Sequence, residues 1–451
     1  MINITPLEAW IREKARINTG LTGRFFIEAL QDYQLRRLNE IIDYARHNTQ
    51  FYRAHLASVP AAPLSALSDI IRIPFTNPSD LSHNPSTFLA VRQDDIARIV
   101  TLRTSGSTGE AKRLFFTEGD LELTVDFFHH GMSTLVRPGQ RVVVLLPGEK
   151  PDSVGDLLAR GLRRMDVHAL VYGPVTDPLH AAEAVASFGA HCLVGIPTQV
   201  LAVARSCTGT QIGKGSVESV LLSTDYVPRA IAKTLEEVWG CRVFSHYGMT
   251  EMGLGGGVEC EALDGYHLRE GDLYFEVVDP ETGETCSDGA VGEVVFTTLT
   301  RRGMPLIRYR TGDIARMIAQ PCPCGSILKR MDYVRGRWNG LIRLDTDCAL
   351  TISEMDEVLF RLPDLLDYRA TVSKGNGGRF GLHIDIYSTD VGNPTEREVL
   401  QCLIRVDAIR KAIVRGNMET PTVRFSTEGR WTTTGVAKRK IVITQRSKGD
   451  D

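Results

Sequence analysis

The sequence predicts an α/β protein whose large N-terminal domain contains mainly parallel sheets covered by helices. From about residue 100, short apolar runs alternate with helix-like stretches, as in parallel strands joined by helical crossovers. After residue 270 the apolar side chains alternate as in antiparallel strands, which predicts a small antiparallel subdomain. The chain has 451 residues, which is long for a single hydrophobic core, so two or more structural units are expected.

The spacing of the apolar side chains predicts the individual elements in chain order. Residues 24–48 are predicted to form a long amphipathic helix, with Phe26, Leu30 and Leu38 on its apolar face. The strands of the parallel sheet are predicted at residues 141–147, 191–197, 217–223 and 241–245. The helices between them are predicted at residues 178–188 and 229–238. The antiparallel strands are predicted at residues 272–278 and 292–298, joined across a Pro-Glu-Thr-Gly turn at 280–283.

A last change of pattern, near residues 336–340, predicts a domain boundary. The segment beyond it has helical stretches at 353–361 and 396–412 and strand-like stretches at 382–387 and 422–426. Its length of roughly 110 residues suits a compact α+β domain. The predicted organisation is an N-terminal domain over residues 1–336, a hinge at 337–341 and a small C-terminal domain over 342–451.

The composition excludes several classes of function. A net charge of −3 does not suit a nucleic-acid partner. The sequence has neither an apolar stretch of ~20 residues nor a signal-peptide pattern, so no membrane partner is expected. Nine cysteines without a dense framework favour reduced thiols in a cytoplasmic protein, which we expect to be a monomer or a homodimer.

A polar turn after residues 99–102 predicts phosphate binding. The turn contains Ser105, Gly106, Ser107, Thr108 and Gly109, and Lys112 follows it. Glycines let successive backbone N–H groups face an anion, hydroxyls add donors, and a lysine supplies a mobile positive charge. The spacing differs from that of a Walker loop, so a flexible surface turn is the alternative.

Two further motifs carry residues suited to a nucleotide. The first, directly after a strand, is His246, Tyr247, Gly248, Met249, Thr250 and Glu251. Its tyrosine can stack on a purine, its threonine can donate to a phosphate and its carboxylate can hold Mg²⁺. The second is Tyr-Arg-Thr-Gly-Asp at 309–313, in which Asp313 can accept hydrogen bonds from two ribose hydroxyls. Each residue alone also fits a structural role, but the three motifs in this order predict one ATP site.

The chain resembles the adenylate-forming superfamily, and within it the phenylacetate–CoA ligase-like branch. The resemblance is carried by Thr-Ser-Gly-Ser-Thr-Gly-Glu-Ala-Lys at 104–112, Tyr-Gly-Met-Thr-Glu at 247–251, the motif at 309–313 and Gly-Arg at 336–337. The segments 31–53 and 73–75 are also similar to that branch. Together these motifs cover nearly the whole chain.

The resemblance implies a two-step reaction. A carboxylate attacks the α-phosphate of ATP and gives an acyl-adenylate and pyrophosphate; the small, mobile C-terminal domain then moves, and a thiol of CoA or of an acyl-carrier protein takes the acyl group. By position, Lys112 and the loop 105–109 would hold the outer phosphates, Thr250 the α-phosphate and Glu251 the Mg²⁺ ion. The implied adenosine contacts are Ser223, Thr224, Asp225, Tyr247, Asp313 and Arg337.

The chain departs from the family pattern at two places near its C-terminus. Val436 stands where such ligases carry a lysine that enters the site during adenylation, so Lys438 is the candidate replacement. At the hinge, Trp338, Asn339 and Gly340 differ from the family's usual acidic residue. These departures leave open an amine acceptor or an unusual oxyacid substrate without CoA, and also a non-catalytic nucleotide-binding relative.

A structural zinc site is predicted from four residues. Cys322 and Cys324 form a Cys-x-Cys-Gly turn, and Cys260 and His267 precede it. Ligands of these types can close a tetrahedral zinc site in which protein fills all four positions. Buried free cysteines with a surface histidine are the alternative.

The small-molecule substrate is expected to be an aromatic or heteroaromatic carboxylic acid, as the resemblance implies. Pockets for such acids are mostly apolar with a few oriented polar groups. The predicted walls of the acid pocket are Phe127, His130, Gly195, Pro197 and Ser245.

Overall fold

The computed structural model describes residues 4–18, 20–102, 111–206, 212–375, 379–388, 394–426 and 439–445. The helices are α1 (Pro6–Ala15), α2 (Arg24–Asn48), α3 (Gln50–His55), α4 (Pro78–His83), α5 (Glu118–Met132), α6 (Val154–Arg163), α7 (Pro178–Phe188), α8 (Pro197–Arg205), α9 (Arg229–Trp239), α10 (Ile352–Leu359), α11 (Glu396–Leu403) and α12 (Asp407–Val414). The strands are β1 (Arg98–Leu102), β2 (Lys112–Phe116), β3 (Arg141–Leu145), β4 (His168–Val171), β5 (Cys192–Gly195), β6 (Ser219–Leu222), β7 (Arg242–Tyr247), β8 (Gly257–Glu259), β9 (Tyr266–Leu268), β10 (Leu273–Val278), β11 (Gly292–Thr298), β12 (Tyr309–Ala315), β13 (Met317–Ile318), β14 (Arg330–Met331), β15 (Gly336–Arg337), β16 (Ile342–Asp345), β17 (Cys348–Leu350), β18 (Leu365–Lys374), β19 (Phe380–Ser388), β20 (Thr422–Ser426) and β21 (Val442–Gln445).

These elements form two compact units, each assembled from separate stretches of the chain. The first unit comprises Met1–Gly139, Lys150–His168 and Phe244–Val334. The second unit comprises Gln140–Glu149, Ala169–Val243 and Arg335–Asp451. The boundaries predicted from the sequence, 1–336 and 342–451 with a hinge at 337–341, stay a prediction.

The first unit is built on antiparallel strands. Strands β10, β11 and β12 pair in sequence order, with Phe275 opposite Phe296 and Phe296 opposite Tyr309. All seven residues of β11 are buried, as expected for a central strand. A second antiparallel set runs in the order β13, β14, β9, β8, β7. The predicted antiparallel part of the fold is thereby confirmed.

Helix α5 lies against the loop between β11 and β12 in this unit. It begins with a capping box between Thr117 and Asp120, which satisfies backbone N–H groups that a helix N-terminus leaves open. The Asp120 carboxylate also accepts the N–H groups of Arg302 and Gly303, at 2.8 and 2.9 Å. One buried carboxylate therefore fixes both the start of α5 and the loop between β11 and β12.

The second unit contains the parallel sheet. Its strands run in the order β6, β5, β3, β4, and β3 with β5 and β5 with β6 pair in parallel. Every residue of β5 and β6 is buried, as in parallel strands covered on both faces. The helices of the connections are α7, α8 and α9. The predicted parallel sheet with helical crossovers is confirmed.

The same unit holds the C-terminal α+β elements. Strand β18 pairs antiparallel with β19, while β21 and β20 add in parallel at the two sides. The single helix predicted over 396–412 is wrong, because the structure has two helices, α11 and α12. Val406 between them is extended (φ −75°, ψ 115°) and 3% exposed, so burial of its side chain turns the chain before Asp407 starts the next helix.

Among the described residues, no helix combines the length and the apolar character needed to cross a bilayer.

Candidate active site

A lysine, a glutamate and a tyrosine from three separate parts of the first unit meet in one hydrogen-bonded group. The Lys112 ammonium donates to Glu251 Oε1 at 3.2 Å and to the Tyr309 hydroxyl oxygen at 3.0 Å. The Tyr309 hydroxyl in turn donates to the same Glu251 oxygen at 3.2 Å. Side-chain exposure is 15% for Lys112 and 5% for Glu251, so water screens this ion pair weakly.

The secondary structure explains why these three side chains meet. Lys112 is the first residue of β2 and Tyr309 is the first residue of β12. Glu251 lies in a short 3-10 turn, Thr250–Met252, that follows β7. Met249 before the turn is extended, and its carbonyl accepts the N–H of Met252. The starts of two strands and one tight turn thus converge at this group.

Tyr309 is the member of this hydrogen-bonded group that the sequence motifs do not predict. It is fully buried and stands four residues before Asp313 in a motif that was interpreted through its aspartate alone. A tyrosine at the start of a strand is usually a core residue, so its place in the sequence gives little indication of a role in a binding site. The position of its hydroxyl between Lys112 and Glu251 is visible only in three dimensions.

The tyrosine and the aspartate expected at adenosine also lie together. The Tyr247 hydroxyl donates to Asp313 Oδ2 at 3.1 Å. Asp313 is completely buried, and its backbone N–H donates to Thr311 Oγ1 at 2.9 Å. The structure therefore brings together, in one unit, the central residues of the motifs at 246–251 and 309–313.

Glycines around this turn are required by close approach of other atoms. A Cβ atom at Gly248 would lie 2.5 Å from the carbonyl oxygen of Leu254. A Cβ atom at Gly255 would lie 2.3 Å from the ring of Phe127. Both distances are far below van der Waals contact. Gly248 is therefore required by the folding of the loop 248–254 on itself, and Gly255 by its contact with helix α5.

The predicted acid-pocket residues of the first unit have defined surroundings. Phe127 is 1% exposed, its ring centroid lies 6.1 Å from that of His246, and the Arg269 guanidinium lies 4.9 Å above it. Burial and the charge of Arg269 lower the pKa of His246 to about 4, so this ring is neutral at pH 7. Ser245 is buried, and its N–H donates to Glu259 at 2.6 Å.

His130 is held by structural contacts. Its ring stacks on Trp10, with centroids 5.6 Å apart, and its Nε2 lies 3.6 Å from Asp126 Oδ1. The indole N–H of Trp10 donates to the same carboxylate at 2.7 Å. These contacts are sufficient to explain a histidine on α5, and a role in the acid pocket stays a prediction.

The remaining predicted site residues within the described part of the chain belong to the second unit. Gly195 ends β5, Pro197 opens α8 and Arg337 ends β15. Ser223, Thr224 and Asp225 follow β6, and their positions are described next.

The turn after β6 has an unusual backbone and a charged anchor. Thr224 has φ +82°, a conformation that residues with a side chain rarely adopt. The Asp225 carboxylate accepts the N–H of Arg439 at 3.0 Å. The Arg439 guanidinium forms ion pairs with Asp356 and with Asp367, the latter at 3.1 Å. The turn is thereby fastened to the start of the last described segment, 439–445.

The phosphate-loop residues Ser105, Gly106, Ser107, Thr108 and Gly109 lie outside the described residues, as do Val436 and Lys438. Their predicted roles stay predictions.

The four predicted zinc ligands converge. The Sγ atoms of Cys260, Cys322 and Cys324 and a ring nitrogen of His267 all lie within 4.8 Å of one another. Cys260 Sγ lies 3.5 Å from Cys322 Sγ, and Cys324 Sγ lies 3.4 Å from His267 Nε2. Backbone N–H groups of Ala262 and Ser326 point at two of the sulfur atoms, each at 3.4 Å. Three thiols and one imidazole form a donor set that fits tetrahedral zinc.

Comparisons with known proteins give the family of this chain. A family model described as AMP-binding enzyme matches residues 31–299. Phenylacetate-coenzyme A ligase of Thermus thermophilus is 28% identical over 412 residues, which are 86% of this chain and 89% of that protein. The enzyme of the same name from Escherichia coli is 26% identical over 325 residues, covering 70% of this chain and 73% of that protein.

A solved structure shows the same fold. The crystal structure of 2-hydroxyisobutyryl-CoA ligase in the postadenylation state, in complex with 2-HIB-AMP, has a TM-score of 0.77 at 18% identity and covers 92% of this chain and 89% of that chain. The family model spans more than half of the sequence. The chain therefore belongs to the AMP-binding enzyme family, in the phenylacetate–CoA ligase-like branch of the adenylate-forming superfamily, and is an AMP-forming acid–thiol ligase.

Proposed function

We propose that the protein activates an aromatic or heteroaromatic carboxylic acid with MgATP and transfers the acyl group to CoA. The observation that carries the adenylation step is the Lys112–Glu251–Tyr309 group, in which one buried carboxylate faces one ammonium group. The names of the similar enzymes, phenylacetate-coenzyme A ligases, support an aromatic acid and CoA. None of the eight cysteines among the described residues forms a disulfide bond, which supports a cytoplasmic setting.

Each residue of the group has a separate task in this proposal. Lys112 contacts the outer phosphates and neutralises charge as pyrophosphate leaves. Glu251 offers carboxylate oxygens of the kind that Mg²⁺ prefers, and Mg²⁺ would supply charge neutralisation at the phosphates. Tyr309 holds the two side chains at a fixed separation. Thr250, at the start of the same turn, is proposed to donate to the α-phosphate.

Adenosine recognition is assigned to the second pair of residues. The carboxylate of Asp313 accepts the ribose hydroxyls, and the ring of Tyr247 lies against the adenine. Their mutual hydrogen bond of 3.1 Å fixes the tyrosine ring before nucleotide binds, which reduces the entropy cost of binding. Ser223, Thr224, Asp225 and Arg337 complete the proposed set of nucleotide contacts.

Pyrophosphate release tests the proposal directly. We expect release that depends on the acid across a panel of aryl and heteroaryl acids, and CoA thioester when CoA is added. If no acid causes release of pyrophosphate, the proposed adenylation step is refuted. Release without thioester would favour an amine acceptor, a carrier-protein thiol or an oxyacid product instead of CoA, and an assay with hydroxylamine would trap the adenylate in that case.

Lys438 is proposed to provide the positive charge that the family places at position 436. We expect Lys438→Ala to slow adenylation roughly 100-fold, since a positive charge that would contact the reacting groups is lost. The matched control is Lys440→Ala, which removes a nearby exposed lysine. Equal rates for Lys438→Ala and the wild type would refute the substitution.

We also propose that the four-residue cluster binds a structural zinc ion. Zinc in a site closed by protein ligands adds folding free energy and has no open position for catalysis. Metal analysis of the purified protein should show one equivalent, lost in Cys322→Ser and kept in Cys286→Ser, which changes a cysteine outside the cluster. If the metal analysis finds no zinc in the purified protein, the zinc proposal is refuted and the adenylation proposal is unaffected.

A further inference from the structure

Arg301 differs from other buried arginines of the first unit in its partners. It lies between β11 and β12 and is 5% exposed. Arg12 pairs with Glu8 at 2.7 Å, and Arg308 pairs with Glu276 at 2.8 Å. Within the described part of the chain, the hydrogen bonds of Arg301 go to two backbone carbonyl groups. A buried charge that lacks a carboxylate partner is costly in free energy, so the presence of an arginine at this position needs an explanation.

The two carbonyl groups belong to the segments that carry Lys112 and Glu251, called here the catalytic pair. Nη1 of Arg301 donates to the carbonyl oxygen of Glu251 at 2.8 Å. Nη2 donates to the carbonyl oxygen of Phe115 at 3.2 Å, on the same short strand as Lys112. One rigid, planar guanidinium therefore ties the turn of Glu251 to the strand of Lys112, whose side chains meet at 3.2 Å.

The surroundings hold the guanidinium in place. Its central carbon lies 4.3 Å from the ring centroid of Phe116, at a distance suited to a cation–π contact. Burial lowers the pKa of the Arg301 guanidinium, and the nearby charges of Asp120 and Glu251 act against this shift. Nε is buried and has no hydrogen-bond partner in the described structure. The side chain is thus oriented by its two carbonyl contacts and one aromatic ring.

We propose that Arg301 is a positioning residue for adenylation, whose guanidinium fixes the two backbone segments carrying Lys112 and Glu251 and so sets the separation of the phosphate-binding and Mg²⁺-binding groups. The inference rests on the function proposed for that pair. It predicts that removing the bridge weakens MgATP contacts specifically, whereas a general loss of stability would affect the nucleotide and the acid alike.

The test measures nucleotide binding without catalysis. Wild type, Arg301→Met and Arg301→Lys are titrated by calorimetry with α,β-methylene-ATP and Mg²⁺, an analogue that cannot be cleaved between the α- and β-phosphates. We expect the affinity of Arg301→Met to fall roughly tenfold or more, as for loss of a charged hydrogen-bonding group. Arg301→Lys keeps the charge but cannot reach both carbonyls, so it too should bind weakly.

Arg12→Met is the matched control, since it removes an equally buried arginine far from the catalytic pair in sequence. It should lower the melting temperature and leave the affinity within about twofold of the wild type. Wild-type affinity in Arg301→Lys would overturn the bridging role, and so would an equal loss of affinity in Arg12→Met. If Arg301→Met does not fold, Arg301→Lys decides the question.

The kinetic prediction separates this inference from the proposed function. With a productive acid, kcat/KM for MgATP should fall roughly tenfold in Arg301→Lys, while KM for the acid stays within about twofold. A parallel loss for both substrates would overturn the inference. If the wild type releases no pyrophosphate with any acid, the proposed activity fails, whereas the titration with α,β-methylene-ATP still tests Arg301.

Discussion

Replacing Tyr309 by phenylalanine removes one hydroxyl group and leaves the ring. The hydroxyl accepts from Lys112 at 3.0 Å and donates to Glu251 at 3.2 Å. Tyr309 is fully buried, so water cannot replace these contacts at low cost. The ring packs against Phe296 with centroids 5.5 Å apart, and this packing is unchanged by the substitution.

The expected magnitude follows from the charges involved. Hydrogen bonds to charged groups contribute about 1.5–3 kcal/mol each, and the hydroxyl makes one to each member of the ion pair. The two bonds act as a unit, so their contributions do not add. Loss of about 1.5–3 kcal/mol of transition-state stabilisation corresponds to a roughly 10- to 100-fold fall in kcat/KM for MgATP.

The assay is acid-dependent exchange of pyrophosphate into ATP. Tyr33→Phe is the matched control, because the buried Tyr33 hydroxyl in the same unit donates to the carbonyl oxygen of Gly271 at 2.9 Å. The control should lose about 1 kcal/mol of unfolding free energy and keep its exchange rate. If Tyr309→Phe exchanges pyrophosphate as fast as Tyr33→Phe, the reasoning about the hydroxyl is refuted.

Three further predictions concern other parts of the structure. Glu251→Gln should abolish Mg²⁺-dependent pyrophosphate release, because a neutral amide is a poor Mg²⁺ ligand; normal turnover would contradict the assignment. His246 has a pKa of about 4 in the fold against 6.5 in model compounds, so only the unfolded chain binds its proton between these values. Unfolding free energy should therefore drop by on the order of 3 kcal/mol as pH falls from 7 to 4, and the His246→Gln protein, measured by denaturant titration, should lack that share of the drop. Arg439→Met should lower the unfolding free energy by about 3–5 kcal/mol because it leaves buried Asp356 without its ion-pair partner. Arg415→Met, at an exposed ion pair, should leave the melting temperature nearly unchanged in the same experiment.

The sequence was sufficient for elements whose pattern is local. The parallel strands of the second unit are continuous apolar runs, and the long helix Arg24–Asn48 has an apolar face at regular spacing. The break between α11 and α12 was missed because the residues around Val406 keep a helical pattern. Val406 is buried in the folded chain, and tertiary packing of this kind can override a local helical pattern.

The residues of the candidate site also fall into two groups: those that a local sequence motif predicts, and those that only the packing of distant segments reveals. Lys112 and Glu251 stand in motifs with recognisable spacing, so their types and order were enough to predict a nucleotide site. Tyr309 and Arg301 act through partners 58 and 50 positions away in the chain. Contacts of that kind depend on how strands and turns pack, and no pattern within a motif reports them.

The contact between Gly255 and Phe127 limits which substitutions the enzyme can accept during evolution. A methyl group at position 255 would lie 2.3 Å from the Phe127 ring, so a substitution there requires a smaller residue at 127 in the same step or before it. Changing Phe127 first is sterically possible but leaves a cavity that the glycine cannot fill, so this order costs stability. Mutational paths through this part of the protein are therefore ordered, and libraries that vary the two positions together should recover functional pairs that single-site libraries miss.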